Sequence, residues 1–175
     1  MLEVIGIKIK SNELDTGKVI DQLQDFSNKN ELTIQLFDAD FIYGKDHLIS
    51  ASEHAQRAFE QNTAISDSLS MEILLYASGE YQIKNALSKL GIKKDTKNMA
   101  LAIMGEMKNP EAVFEDFLTQ LKYIGLELER DDEVLIGDRN TLEAFGISKE
   151  ELTAVPEDRW LELVLEKVAL LDIQK

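Results

Sequence analysis

The sequence predicts one domain of the α/β class, with α+β open as the variant: a small central sheet packed by helices. Runs of alternating apolar residues, read as strands, interleave with segments of helical spacing. They do so without the strict strand–helix alternation of a doubly wound nucleotide-binding sheet. The 175 residues suffice for one well-cored domain and are short for two. No internal repeat, low-complexity tract or linker divides the chain, so residues 1–175 are expected to form a single unit.

Glu3 to Ile9 alternates branched apolar residues with others and reads as an opening strand. Val19 to Phe26 follows helical spacing and ends in the polar Ser27-Asn28-Lys29-Asn30. Leu32 to Phe37 is a second strand, closed by Asp38 and Asp40. A helix begins near Tyr43-Gly44, because Leu48, Ala51, Ala55, Ala58 and Phe59 share one face. From Leu69 to Ala77 the chain is apolar almost all round, with Glu72 its one charge, so this helix is expected between layers.

A tight break at Ser78-Gly79-Glu80-Tyr81 precedes a third short helix with Ile83, Ala86, Leu87 and Leu90 on one stripe. It stops at Gly91, read as a C-cap. Asn98 to Met104 reads as a buried strand. Asn109-Pro110 is a start signal, with Asn at the cap and Pro in the first turn. The helix it opens carries Val113, Phe114, Phe117, Leu118 and Leu121 inward. Leu126–Leu128 and Val134–Ile136 read as short strands around the acidic turn Glu129 to Glu133. Thr141–Phe145 and Lys149–Leu152 look like brief helical turns, and Pro156 opens a last helix through Leu171.

Composition narrows the function. A net charge of −14 repels polyanions at long range, so generic binding to DNA or an anionic membrane is not expected. Screening confines surface charge to about 10 Å at moderate salt, which leaves room for a small local site. The absence of cysteine rules out a disulfide framework and thiolate chemistry, and it is compatible with a reducing cytoplasm, the expected location. The opening MLEVIGIKIKSNE lacks the basic region and long apolar core of a signal peptide. The longest apolar runs fall far short of the roughly 20 residues that span a bilayer.

No GxGxxG, P-loop or GxSxG string is present. His47 and His54 stand seven residues apart, about 10 Å along one helix, too far to share a zinc ion. No metal or cofactor is expected. Asp38 and Asp40 at a strand end read first as solvated turn residues. Glu72, a carboxylate in an apolar helix, needs a partner or a shifted pKa. Structural pairing is its favoured role; an enzyme using Glu72 or Asp38 is the remote alternative. With no histidine or cysteine beside them in sequence, no acid–base set assembles, and the chain does not read as an enzyme.

Two surface features survive. Between Lys84 and Lys97 five lysines face one aspartate, net +4, whereas residues 111–151 are net −8. The lysine segment adjoins the Gly79 turn, where N–H groups at a helix start favour phosphate and Tyr81 offers a ring for stacking on a base. The last helix has Trp160, Leu163, Val164, Val168 and Leu171 on one side, with Leu161, Leu165 and Ala169 displaced from it. That surplus either packs within the domain or meets a partner.

The run HLISASEHAQRAF…SLSMEILLYASGEYQIKNALSKLGI, followed far downstream by LEKVALLDI, resembles the small accessory, kinase-binding subunit family of the KEOPS complex. The MEILLYASG-x-x-QI string is its most specific part. The likeness covers most of the chain, weakly the first thirty residues and the acidic segment at about 125–155. It implies a single domain without catalysis of its own that binds and supports the complex's small atypical kinase, an ATPase. It further implies a share in recruiting tRNA, through the single-stranded 3′ CCA end, for threonylcarbamoyladenosine modification. The RNA-binding set is then Ser78, Gly79, Tyr81, Gln82 and Lys84, with His47 and Arg57 nearby. Leu161, Leu165 and Ala169 are the kinase-facing residues, on the ground of their surplus apolar surface. The family commonly has arginine where Tyr81 stands and often glutamine where Glu80 stands. A protein-interaction subunit without RNA binding is the alternative.

Overall fold

The computed structural model describes residues 1–174. A four-stranded sheet in the order β2-β3-β1-β4 is formed by β1 (Leu2–Ile9), β2 (Thr33–Asp38), β3 (Asn98–Met104) and β4 (Leu128–Arg130). Every ladder is antiparallel, Gly6 facing Ala100 and Leu36 facing Leu101. The fold is therefore α+β. β1 and β2 run parallel to each other with β3 inserted between them, a split βαβ unit around α1 (Thr16–Asn30). A sequence shows that strands and helices interleave, but not which strand is inserted where.

Alternation along the strands builds two cores. Ile5, Ile7, Ile34, Leu36, Met99, Leu101 and Ile103 face α1 and α5 (Pro110–Tyr123), where Phe26 and Phe117 pack 5.2 Å apart. On the other face stand Val4, Phe37, Ala100 and Ala102. The two alanines let α2 (Lys45–Glu60) and α3 (Leu69–Ser78) settle against the sheet. α3 is buried on all sides, as its continuous apolar run implies. α4 (Ile83–Leu90) and α8 (Trp160–Gln174) close this layer. α6 (Arg139–Phe145) and α7 (Lys149–Ala154) add a third cluster of Leu142, Phe145, Ile147, Leu152 and Val164. The acidic segment thus turns its charges outward around a small core of its own.

Two local expectations are corrected, and the C-cap expected at Gly91 is present with a different backbone conformation. Val134–Ile136 is not a strand: Asp132–Leu135 forms a 3-10 turn, capped by the Asp131 side chain, which accepts from Glu133 N–H. The turn is drawn onto β1 because Gly6 N–H donates to Asp132 Oδ1 (2.9 Å) and Asp131 N–H donates to Gly6 O (2.9 Å). A Cβ at position 6 would lie 2.2 Å from Asp131 O, so the close approach requires glycine. β4 begins at Leu128 rather than Leu126, since its ladder pairs only Leu128–Arg130 with Ile7–Ile9. Gly91 caps α4 without a left-handed conformation (φ −65°); glycine is needed because a Cβ would lie 2.4 Å from Leu87 O.

Candidate functional site

The turn after α3 is built from inside. Gly79 adopts the left-handed conformation (φ 66°), which only glycine takes without strain. Gly79 N–H donates to Tyr76 O and Glu80 N–H to Leu75 O, closing the helix. The Ser78 side chain is fully buried; its hydroxyl donates to Leu75 O (2.9 Å) and accepts from Glu80 N–H (3.2 Å). Ser78 therefore shapes the turn rather than meeting a ligand. Beyond it Tyr81 is 52% exposed, and Gln82 and Lys84 are exposed as well. Gln82 sits at the N-cap of α4 without capping through its own side chain. Ile83 and Leu87 extend this open face with partly exposed apolar surface.

His47 lies under the turn. It is fully buried, donates from Nε2 to Ala77 O (2.8 Å), and accepts Tyr43 N–H at Nδ1 (3.3 Å). Burial, the largest cause, holds it neutral, with its pKa lowered from 6.5 to about 4. Phe145 meets the imidazole edge-on at 5.0 Å. On that phenyl ring rests the Lys89 ammonium, 4.1 Å from the centroid, which also donates to Ser78 O (2.7 Å). Lys89, Phe145 and Lys167 gather at the turn and were absent from the sequence-derived set. Lys89 lay within the visible lysine run, whereas Phe145 and Lys167 arrive from α6 and α8.

Arg57 does not join them. It is exposed in the last turn of α2, and ten residues of helix place it about 15 Å along the axis from His47. His47 thus lies under the turn, whereas Arg57 stands at the opposite end of α2 from it. Arg57 belongs instead to the neighbourhood of Tyr76, whose hydroxyl donates to Asp172 (2.5 Å). The other Asp172 oxygen pairs with His54 Nδ1 at 2.8 Å, so this cluster fastens the end of α8 onto α2 and α3.

The two carboxylates considered for catalysis are structural fasteners. Glu72 is fully buried and accepts from the backbone N–H groups of Ile65 (3.0 Å) and Ser66 (2.9 Å), closing the loop before α3. Asp38 accepts from Asp40 N–H (3.1 Å) and the Thr96 hydroxyl (3.2 Å). Burial pushes its pKa up, against those bonds. Neither carboxylate lines any of the cavities described below.

α8 presents a second candidate surface. Val164, Val168 and Leu171 are buried. Leu161 and Leu165 flank them half-buried, Ala169 is exposed, and Ile173 is 78% exposed. Positions four apart advance about 40° around a helix, so this stripe leads continuously from the core edge to open solvent. Ile173 was missed because the sequence reading ended the helix at Leu171. Beside Leu161 lies an apolar cavity of about 320 Å³, walled by Tyr43, Leu135 and Ile136. Ile136 is itself 76% exposed. Among the described residues no helix is long and apolar enough to cross a membrane, so this apolar surface is not accounted for by a span.

An α+β domain with carboxylates tied into loop closures and an apolar stripe open on its last helix has the surface of a binding module. The chain belongs to the family described as kinase binding protein CGI-121, whose family model matches residues 11–172. It is similar to the regulatory protein Cgi121 of Methanocaldococcus jannaschii, 29% identical over 144 residues. That match spans 82% of this chain and 86% of the relative.

Proposed function

We propose that this chain is the non-catalytic accessory subunit of a KEOPS-type complex in the cytoplasm. In this reading α8 docks on the small atypical kinase through Leu161, Leu165, Ala169 and Ile173. The turn between α3 and α4 engages the single-stranded 3′ CCA end of tRNA, which the complex modifies to threonylcarbamoyladenosine. The observation that carries the RNA role is the run Tyr81-Gln82-Lys84, exposed in succession beyond a left-handed Gly79 in an otherwise acidic protein. Tyr81 stacks on a base, Gln82 offers an amide to a base edge, Lys84 meets phosphate, and Gly79 lets the backbone approach. Ser78 and His47 hold the turn from below.

Titration of labelled tRNA, with and without its terminal CCA, into the isolated protein tests this. Binding is expected only with CCA, and it is expected to weaken as salt rises. Equal binding of both RNAs would remove the 3′ end from the account. A docking module with no RNA role is the second reading, favoured by Glu80, an anion on the same turn. It would be supported if Lys84→Ala and Tyr81→Ala left tRNA modification by the assembled complex unchanged.

A further inference from the structure

We infer that Asp172 is a positioning residue for kinase docking: held by Tyr76 of α3 and His54 of α2, it fixes the last turn of α8 so that Ile173 stands in the stripe assigned to the kinase. This rests on the docking reading above and adds to it the contact that prepares the surface. The Tyr76 hydroxyl donates to Asp172 Oδ1 (2.5 Å), and His54 Nδ1 pairs with Asp172 Oδ2 (2.8 Å). The two rings lie 5.4 Å apart with their planes at 30°, so two helices hold one carboxylate from neighbouring rings.

By the electrostatics of the helix itself, a carboxylate is out of place here. The last turn of a helix carries a partial negative charge, which favours cations and disfavours anions. Among the described residues the last turn of α8 has no basic side chain to offset Asp172. The partners on α2 and α3 offset it instead. Burial, and then the bond to Asp172, push the Tyr76 phenol up, so it keeps its proton and remains the donor across the physiological range. Tyr76 is itself fully buried in the core, which makes it a fixed post.

Apolar packing does not reach this turn. The buried anchors of α8 are Val164, Val168 and Leu171, and residues 172–174 are all exposed. A helix end with exposed residues and open carbonyl groups frays at little cost. Ile173, 78% exposed, follows Asp172 directly, so its direction is set only while the turn stays helical. A docking surface that is formed for a fraction of the time binds with its affinity reduced by that fraction, and a latched turn avoids the loss. The net worth of a hydrogen bond to a charged group, at the lower end of its range, corresponds to about 10-fold in such an equilibrium.

Amide hydrogen exchange of residues 171–174 and calorimetric titration with the purified kinase, both on the full chain, test this. Asp172→Ala is expected to speed exchange in that turn and to weaken kinase binding about 10-fold. Tyr76→Phe keeps the buried ring, removes one donor, and is expected to weaken binding about 3-fold. Asp172→Asn keeps an acceptor oxygen for Tyr76 and is expected to restore most of the affinity lost in Asp172→Ala. Kinase affinity unchanged in both Asp172→Ala and Tyr76→Phe, even with faster exchange, would make the contact a fastener only and overturn the positioning role. Leu165→Glu separates this from the docking reading. If Leu165→Glu fails to bind while Asp172→Ala binds as wild type, the latch alone falls; if Leu165→Glu binds as wild type, the docking reading falls with it.

Discussion

Leu165→Glu combined with Ile173→Glu is expected to weaken kinase binding about 100-fold or more, with the fold retained. The two positions lie eight residues apart on one stripe of α8, one half-buried and one 78% exposed. Neither belongs to the buried set Val164, Val168 and Leu171 that anchors the helix. A carboxylate at either place meets water in the free protein and loses that water in an apolar interface, which is why binding suffers far more than stability. Isothermal titration against the purified kinase gives the affinity, and thermal unfolding gives the control. A loss of binding that simply tracks a fall in Tm would point to damage of the helix rather than of the interface.

Lowering the pH from 6.5 to about 4.5 is expected to remove about 2 kcal/mol of stability through His47 alone. In the unfolded chain an imidazole takes a proton below about pH 6.5. In the fold His47 stays neutral until about pH 4, because burial opposes the charge and Lys89 lies close by. Between those values a proton favours the unfolded chain, so stability falls as the pH falls. Asp132, Asp138 and Glu151 have pKa values held below the ordinary carboxylate range, so their contributions fade only at lower pH. Asp38, pushed up by burial, works in the opposite direction there. Denaturant melts at pH 7.0, 6.0 and 5.0 measure the slope. His47→Gln removes the titrating group, and its stability is expected to change less over that interval than the wild type's. Equal slopes in the two proteins would show that His47 is not the source.

The same burial explains what the sequence could and could not disclose. Strands were legible where one face packs and the other packs differently, as in β3, whose Met99, Leu101 and Ile103 alternate with Ala100 and Ala102. α5 was legible from Asn109-Pro110, and Asn109 does accept from Ala112 N–H (3.3 Å). Val134-Leu135-Ile136 misled because β-propensity is a weak preference. A bare glycine edge on β1 and the Asp131 and Asp132 side chains overrode it. At the site, the Ser78–Lys84 turn was visible as a local pattern. The stacking of Lys89 on Phe145 depends on α6 folding back across fifty residues, which no local pattern records. His47 carries no sign of burial in the sequence, and only packing shows it sealed beneath the turn. Arg57 was named beside it in the RNA-binding set, and ten helical residues separate the two by about 15 Å along the axis.

α8 carries the apolar stripe proposed to meet the kinase on one flank and abuts the Gly79 turn at Lys167 on another, so kinase and tRNA are expected to bind at once. Analytical ultracentrifugation of the protein mixed with kinase and tRNA measures this directly. A single 1:1:1 species is expected, from which removal of the terminal CCA releases the RNA and leaves the kinase bound. Kinase and tRNA that exclude one another on this protein, or RNA retained without its CCA, would contradict it.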